Sequence, residues 1–264
     1  MSSLGPVEDP WAAVADRFLV GQSESVRGRV RTHVIDRHLA EFLPDPPAAI
    51  ADVGGGGATQ SLPLARRGYE VTLLDSSPAM LDRAREALAG EPPEVAARVR
   101  VVAGRGEDAV ALLGAGRFDA VLCHGVIPYA DDPAPLIAAL AGLAAPGGIV
   151  SIVAKNQAAL ATVPALGGRW REALTALAAT REVNRLGFDT RADTVDGLSA
   201  LLEHAGVDPV AWYGVRLFVD LRPGDEPAGA DFADVLAVEL EASRRDPYRA
   251  MSRLFHLIGR KRTC

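Results

Sequence analysis

Two segments decide the fold of this chain: Ile50-Ala-Asp-Val-Gly-Gly-Gly-Gly-Ala-Thr-Gln60 and, after a short helical stretch, Tyr69-Glu-Val-Thr-Leu-Leu-Asp75. Ile50 to Val53 reads as a short buried strand, the four glycines as a turn, Ser61 to Arg67 as a helix, and Val71 to Leu74 as a second strand ending on Asp75. Glycine admits positive φ and close backbone approach, and the following helix offers unpaired N–H groups. An acid at the tip of the second strand can accept both hydroxyls of a ribose. A ligand-free tight turn would explain the glycines alone. Strands on both sides and an acid about 20 residues on point instead to a nucleoside-containing cofactor. A dinucleotide fingerprint carries a glycine three residues after the second one; here Thr59 follows Gly56 at that spacing, which disfavours NAD.

With 264 residues and 48% hydrophobic content, the chain can bury a full core. Its net charge of −6 excludes a broadly basic nucleic-acid surface and leaves room for a local patch. Cys123 and Cys264, the only cysteines, suggest neither a disulfide framework nor a metal cluster, so no metal is expected and a reducing cytoplasm fits. No targeting or membrane-spanning segment is read, and no membrane partner is expected. Residues 1–10 are expected to be disordered, and 11–264 to form a single domain.

Residues 11–43 read as a helical cap, broken after Gly21, with Arg27, Arg29 and Arg31 crowded at the start of its second helix. Positive charge there opposes the helix dipole; the alternatives are a solvated basic face or an arginine reaching over the cofactor to a carboxylate. Ser76 to Ala89 reads as a crossover helix carrying Met80, and Val99 to Ala103 as a third strand leading into Gly104-Arg105-Gly106-Glu107-Asp108. Phe118 to Cys123 is a fourth strand with His124 at its carboxyl end, and Ile149 to Ala154 a fifth. This alternation implies a mostly parallel sheet with helices on both faces. Gln157 to Leu186 reads as a helical insertion, 187–191 as loop and Val195 to His204 as helix, so that 157–205 would form a lid. Trp212 to Leu221 and Leu254 to Gly259 read as the last strands, with a helix from Asp231 to Ser243 between them.

Asp-Val-Gly-Gly-Gly-Gly, Asp75 followed by Met80, Phe118-Asp119-Ala120-Val121 and the Ala-Pro-Gly-Gly turn before a strand together resemble the class I S-adenosylmethionine-dependent methyltransferases. The resemblance implies an α/β, Rossmann-like fold with a seven-stranded sheet, S-adenosylmethionine as cofactor and S-adenosylhomocysteine as product. Ala58 stands where the motif usually has its third glycine. Arg27-Gly-Arg-Val-Arg31, the segment around His124, Lys155-Asn156 and Gly214-Val215-Arg216-Leu217-Phe218 are similar to the tRNA 5-carboxymethoxyuridine methyltransferases, which esterify a carboxylate on a wobble uridine. By matching motif, Arg31, Gly54, Gly55, Asp75, Gly106, Glu107 and His124 would line the cofactor, with Arg31 on its methionine carboxylate. Asp52, Gly56, Ser76 and Met80, in the same motifs, join that set. The acceptor stays open between tRNA and a small molecule, with binding without turnover as a third possibility.

A carboxylate acceptor is already ionised at neutral pH and needs no general base. A bidentate arginine and a tyrosine hydroxyl are the natural clamp for it, and Arg216 and Tyr129 are the candidates. His124 would serve as base only for a hydroxyl or amine acceptor.

Overall fold

Side chains alternate across the sheet, and this alternation sets the layers. The computed structural model describes residues 9–222 and 231–263. In the first strand, Ala49–Val53 (β1), Ile50 enters one apolar cluster while Ala51 and Val53 enter the opposite one. The strand Glu70–Asp75 (β2) splits Leu73 and Leu74 in the same way. Strands buried on both faces read as continuous apolar runs, as these do. One cluster is closed by the helices Val26–Leu39 (α2), Ser61–Arg66 and Pro78–Ala89, the other by Ala134–Leu143 and Val195–His204.

The remaining strands are Val99–Ala103 (β3), Phe118–His124 (β4), Ala144–Lys155 (β5), Arg181–Val183 (β6), Asp189–Arg191 (β7), Val207–Val215 (β8) and Leu254–Lys261 (β9). The main sheet has seven strands in the order β3-β2-β1-β4-β5-β9-β8, and β9 alone runs antiparallel to its neighbours. This is the seven-stranded, mostly parallel Rossmann-like sheet the sequence implied. The chain leaves β1 for β2 on one side and later returns to β4 on the other, so a crevice opens at the carboxyl ends of β1 and β4. Asp119, from the Phe-Asp-Ala-Val motif, accepts the Ala49 amide at 2.9 Å and pins the start of β1.

Several elements depart from the sequence reading. Gly21 lies inside the helix Ala15–Ser23 (α1); the break falls at Glu24–Ser25, where the Ser25 hydroxyl accepts the Gly28 amide at 3.0 Å and caps α2. Helix in the alanine-rich insertion ends at Ala176, and β6 and β7 then form a separate hairpin that includes part of the expected loop. Alanine favours helix but has no side chain to oppose a tertiary contact, and buried Thr190 ties the hairpin together through the Glu182 carbonyl at 2.9 Å. The strand expected over 212–221 starts earlier and stops at Val215: Arg216 has φ 62°, and Phe218–Leu221 is a helical turn. Of the expected disordered start, residues 1–8 lie outside the described residues. Asp9 is held in place, accepting the Ser77 hydroxyl at 2.7 Å and the Ala79 amide at 3.3 Å.

The crossing of α1 over α2 makes a sharp contrast between two glycines. A Cβ on Gly28 would lie 2.2 Å from the Gln22 carbonyl oxygen and 2.4 Å from that of Gly21, whereas one on Gly21 meets nothing. Gly28→Ala should therefore destabilise by at least the ~1–3 kcal/mol of overpacking, and Gly21→Ala should stabilise by about 0.5–1 kcal/mol. Urea denaturation of the two variants checks both signs.

Candidate active site

The glycine turn follows β1 directly. Gly54 (φ 74°) donates to the Leu74 carbonyl at 2.7 Å, and a Cβ on it would lie 2.2 Å from Val126 Cγ2. Only glycine threads this gap. Ala58 also has positive φ, 64°, and is fully buried, which explains why the motif usually carries glycine there. Asp75 ends β2. One of its carboxylate oxygens accepts the Gly56 amide and the other the Ser77 amide, each at 2.9 Å, so each keeps a lone pair for a ligand.

A cavity of about 380 Å³ occupies the crevice at the strand ends. Arg31, Asp52, Gly54, Gly55, Gly56, Asp75, Ser76, Met80, Gly106, Glu107, His124 and Tyr129 all line it. Every residue expected from the sequence to line the cofactor thus lines one cavity, contributed by α2, the ends of β1 to β4, the turns after them and, for Met80, the helix Pro78–Ala89. Residues not singled out from the sequence complete the wall: Gln60, on the glycine-turn side, and Trp11 with Phe18; Phe188 packs on Trp11 from behind the lining. The Trp11 ring lies 5.2 Å from Phe18, 5.1 Å from Tyr129 and 5.2 Å from Phe188. The signal for Gln60 was present, since it ends the glycine turn; Phe188 arrives from the distant hairpin and carries no local signal.

Charge in the cavity is arranged for a zwitterionic, cationic ligand. Arg31 is buried and donates only to neutral groups, the His124 carbonyl at 3.1 Å and Gln22 Oε1 at 3.2 Å; among the described residues it forms no ion pair. Burial and the nearby Arg216 guanidinium lower its pKa to about 10, opposed by Asp52. An anion arriving there would relieve a buried cation. Asp52 accepts the Ser61 hydroxyl at 2.6 Å, and burial pushes its pKa up to about 6. Burial likewise raises Asp75. A nucleoside ligand with a carboxylate and a positive sulfur therefore fits: Arg31 for the carboxylate, acids Asp52, Asp75 and Glu107 around the rest, and Asp75 lone pairs for a ribose.

His124 is no base poised near neutrality. Burial, His256 and Arg31 hold its pKa well below the usual 6.5. Its Nε2 lies 2.8 Å from Ser151 Oγ, which lies 2.7 Å from His256 Nε2; His256 Nδ1 lies 3.3 Å from His38 Nδ1. Burial lowers His38 to about 2 and His256 to about 3.

Arg216 is placed differently from its sequence assignment as an open carboxylate clamp. Its Nε and Nη2 already grip Asp220 at 2.8 and 2.7 Å, and Arg27 Nε lies 3.0 Å from the same carboxylate. Arg216 nevertheless lines a second cavity of about 750 Å³, which shares Phe18 and Tyr129 with the first. Of the arginines that open α2, Arg31 reaches the cofactor cavity, Arg27 pairs with Asp220, and exposed Arg29 stacks on Phe232 at 4.0 Å.

Residues 51–150 match the family model for a methyltransferase domain. The tRNA 5-carboxymethoxyuridine methyltransferase of Escherichia coli strain K12 is 26% identical over 94% of both chains. The ubiquinone biosynthesis O-methyltransferase of Xanthomonas campestris pv. campestris is 31% identical over 61% of this chain and 65% of its own. Among solved structures, the CcbJ methyltransferase of Streptomyces caelestis superposes with a TM-score of 0.62 at 18% identity, covering 96% of this chain and 97% of that one. No helix among the described residues is long and apolar enough to cross a membrane.

Calorimetry should show S-adenosylmethionine binding and no comparable binding of NAD. Asp75→Ala should weaken that binding by roughly 1.5–3 kcal/mol, the worth of hydrogen bonds to a charged group, with the circular dichroism spectrum unchanged. The buried imidazoles make a separate forecast. Their folded pKa values lie below the 6.5 of the unfolded chain, so between the two values only the unfolded chain takes up the protons. Stability is then full above pH 6.5 and falls below it by about 1.4 kcal/mol per pH unit for each neutral imidazole. Asp52, raised to about 6, works oppositely below that pH and offsets one of them. Urea midpoints should thus start to fall between pH 6.5 and 6; a constant midpoint there would contradict the burial of His38, His124 and His256.

Proposed function

Starting from the chain as an S-adenosylmethionine-dependent methyltransferase, we propose that it esterifies the carboxylate of 5-carboxymethoxyuridine at the tRNA wobble position. One observation carries the acceptor class. The second cavity is lined by Lys155, Arg169, Arg181, Arg185, Arg216 and Arg253 against Glu172, Glu182 and Asp220, an excess of cations in a chain of net charge −6. A patch of the opposite sign to the whole chain, beside the donor cavity, suits an anionic acceptor carried on a polyanion. Likeness along most of the chain to a tRNA 5-carboxymethoxyuridine methyltransferase supports the same reading.

The cofactor supplies an electrophilic methyl group on a positive sulfur. With that donor bound, an acceptor carboxylate would take the methyl group directly, the C–S electron pair staying on sulfur, so the protein's residues would have no proton to move. The protein's part is then positioning and exclusion of water, worth on the order of several kcal/mol as effective molarity. Arg31, the glycine turn and Asp75 hold the donor. Tyr129, common to both cavities, stands at the junction, its hydroxyl oxygen taking the Asn184 amide at 3.2 Å. Buried Lys155 lies 2.6 Å from Glu182, which Arg253 also grips, so the acceptor side carries fixed positive charge. Arg216 would meet the acceptor with the guanidinium edge not spent on Asp220.

Incubation with methyl-labelled S-adenosylmethionine and fractionated extract tests the acceptor: the label should enter a ribonuclease-sensitive fraction. Label that passes a small-molecule filter would replace the tRNA reading with a small-molecule O- or N-methyltransferase. Single-turnover rates should be flat from about pH 6 to 8, since an ordinary carboxyl titrates near 4. Arg216→Lys should lower kcat/KM for the acceptor about 10- to 100-fold, because an ammonium cannot keep the fork on Asp220 and still offer a second edge.

A further inference from the structure

Beyond the groups that touch the cavity lies a buried polar row that methyl transfer to a carboxylate does not use. It runs from Gln60 through His124, Ser151, His256 and His38 to Ser243, and crosses the sheet at β4, β5 and β9. Only Gln60 and His124 line the cofactor cavity. Ser151, His256, His38 and Ser243 are buried.

Each neutral imidazole has one N–H and one lone pair, so a row of this kind points one way or the other. The far end decides. Ser243 Oγ donates to the Leu240 carbonyl at 2.6 Å, spending the hydroxyl's only proton. His38 Nε2, 2.8 Å from that oxygen, must therefore be the donor, which leaves Nδ1 bare. The His38 Nδ1 to His256 Nδ1 contact of 3.3 Å then needs the proton on His256, whose bare Nε2 takes the Ser151 hydroxyl at 2.7 Å. Ser151 in turn accepts from His124 Nε2–H at 2.8 Å. His124 Nδ1 is left as a lone pair facing Gln60 at 3.4 Å.

The opposite direction would satisfy the long Gln60 contact and set two acceptors against each other in the short one at Leu240, so the short contact prevails. A carboxamide's two ends interchange by a half turn, so Gln60 answers a bare Nδ1 by presenting its NH₂. Arg31 faces His124 and His256, while Arg244 faces His38, whose ring stacks on Tyr213 at 3.9 Å with the Tyr213 hydroxyl on Glu41. These cations oppose a second proton anywhere in the row.

We propose that His38 and His256 are positioning residues for the cofactor. Through Ser151 they hold His124 in the Nε2-protonated tautomer, so that Gln60 turns its NH₂ to the imidazole and its carbonyl oxygen to the cavity as acceptor for the donor's α-ammonium. With Arg31 available for the carboxylate, the pair matches both charges of an amino-acid moiety. The inference rests on S-adenosylmethionine as methyl donor and is independent of which acceptor is methylated.

Ring-nitrogen spectra of the full chain labelled with 15N-histidine test it directly, and five histidines keep the spectrum assignable. His124 and His38 should be protonated at Nε2 and His256 at Nδ1; a proton on His124 Nδ1 would overturn the proposal. Ser243→Ala removes the pin. An unsatisfied buried N–H is worse than an unsatisfied lone pair, so the row should invert and His124 should become protonated at Nδ1. Affinity for S-adenosylhomocysteine should then fall about tenfold, the worth of one net hydrogen bond, while affinity for 5′-methylthioadenosine, which has no amino-acid moiety, stays constant. Equal losses for both ligands, or none for either, would reduce the row to a structural role. The wild-type spectrum decides the matter alone should Ser243→Ala fail to fold.

Discussion

A buried guanidinium without an acidic partner is costly, and Arg31 sets that condition at the carboxyl edge of the sheet. Its hydrogen bonds go to a backbone carbonyl and a glutamine, so its charge is felt by everything nearby. It opposes protonation of His124 and His256 and is itself opposed by Arg216. Asp52, pushed up by burial and by Asp75, is in turn pulled down by Arg31. An anion on Arg31 would relieve that condition. A ligand with an amino-acid carboxylate and a positive sulfur would bring the anion to Arg31 and the sulfur to the acids, which is what the proposed donor offers.

Keeping the histidines neutral follows from the same constraint. A positive imidazole at His124 would face both Arg31 and the positive sulfur of the donor in a place poorly screened by water. Burial in the sheet removes that option, at the cost of hydrogen-bonding every ring nitrogen internally. The row through Ser151 and His256 to Ser243 meets that requirement without a charge. A histidine at the end of β4 suggests a base from sequence alone; here it serves as a neutral, oriented hydrogen-bonding group.

The donor side was legible because its determinants are local. Strand, glycine turn, helix and acid occur within one 26-residue stretch, Ile50 to Asp75, and their spacing is fixed by backbone geometry. Helix Val195–His204 was read to the residue, since the Thr194 cap and its apolar spacing are both short-range. The acceptor side was not legible in the same way. Arg216 looks like an open clamp until Asp220, four residues on, is seen to occupy its fork. The buried Glu239 carboxylate takes the amides of Leu217 and Val219 at 2.9 and 2.7 Å, holding the turn that sets Arg216 in its left-handed conformation, and no pattern in the sequence joins these positions. The 181–191 hairpin failed for a related reason: alanine-rich sequence encodes helix locally, while the contacts that override it come from Lys155 at the end of β5 and Arg253 just before β9.

The arginine cluster at the start of α2 then acquires a physical account. Charge there opposes the helix dipole, so its value must lie elsewhere. Arg27 and Arg31 are four residues apart and share one face of the helix, while Arg29 points outward over Phe232. Arg31 lines the first cavity; Arg27, one turn earlier, meets the Asp220 carboxylate that fixes Arg216 in the second. Buried Asp220 is shared by Arg27 and Arg216, so removing it would take the carboxylate from both arginines at once, typically at a cost of about 3–5 kcal/mol. One rigid helix therefore ties the two cavities to a common reference. Gly28 is what lets that helix lie close under α1, and a shift of α2 would move Arg31 in the first cavity and the Arg27–Asp220–Arg216 group in the second together.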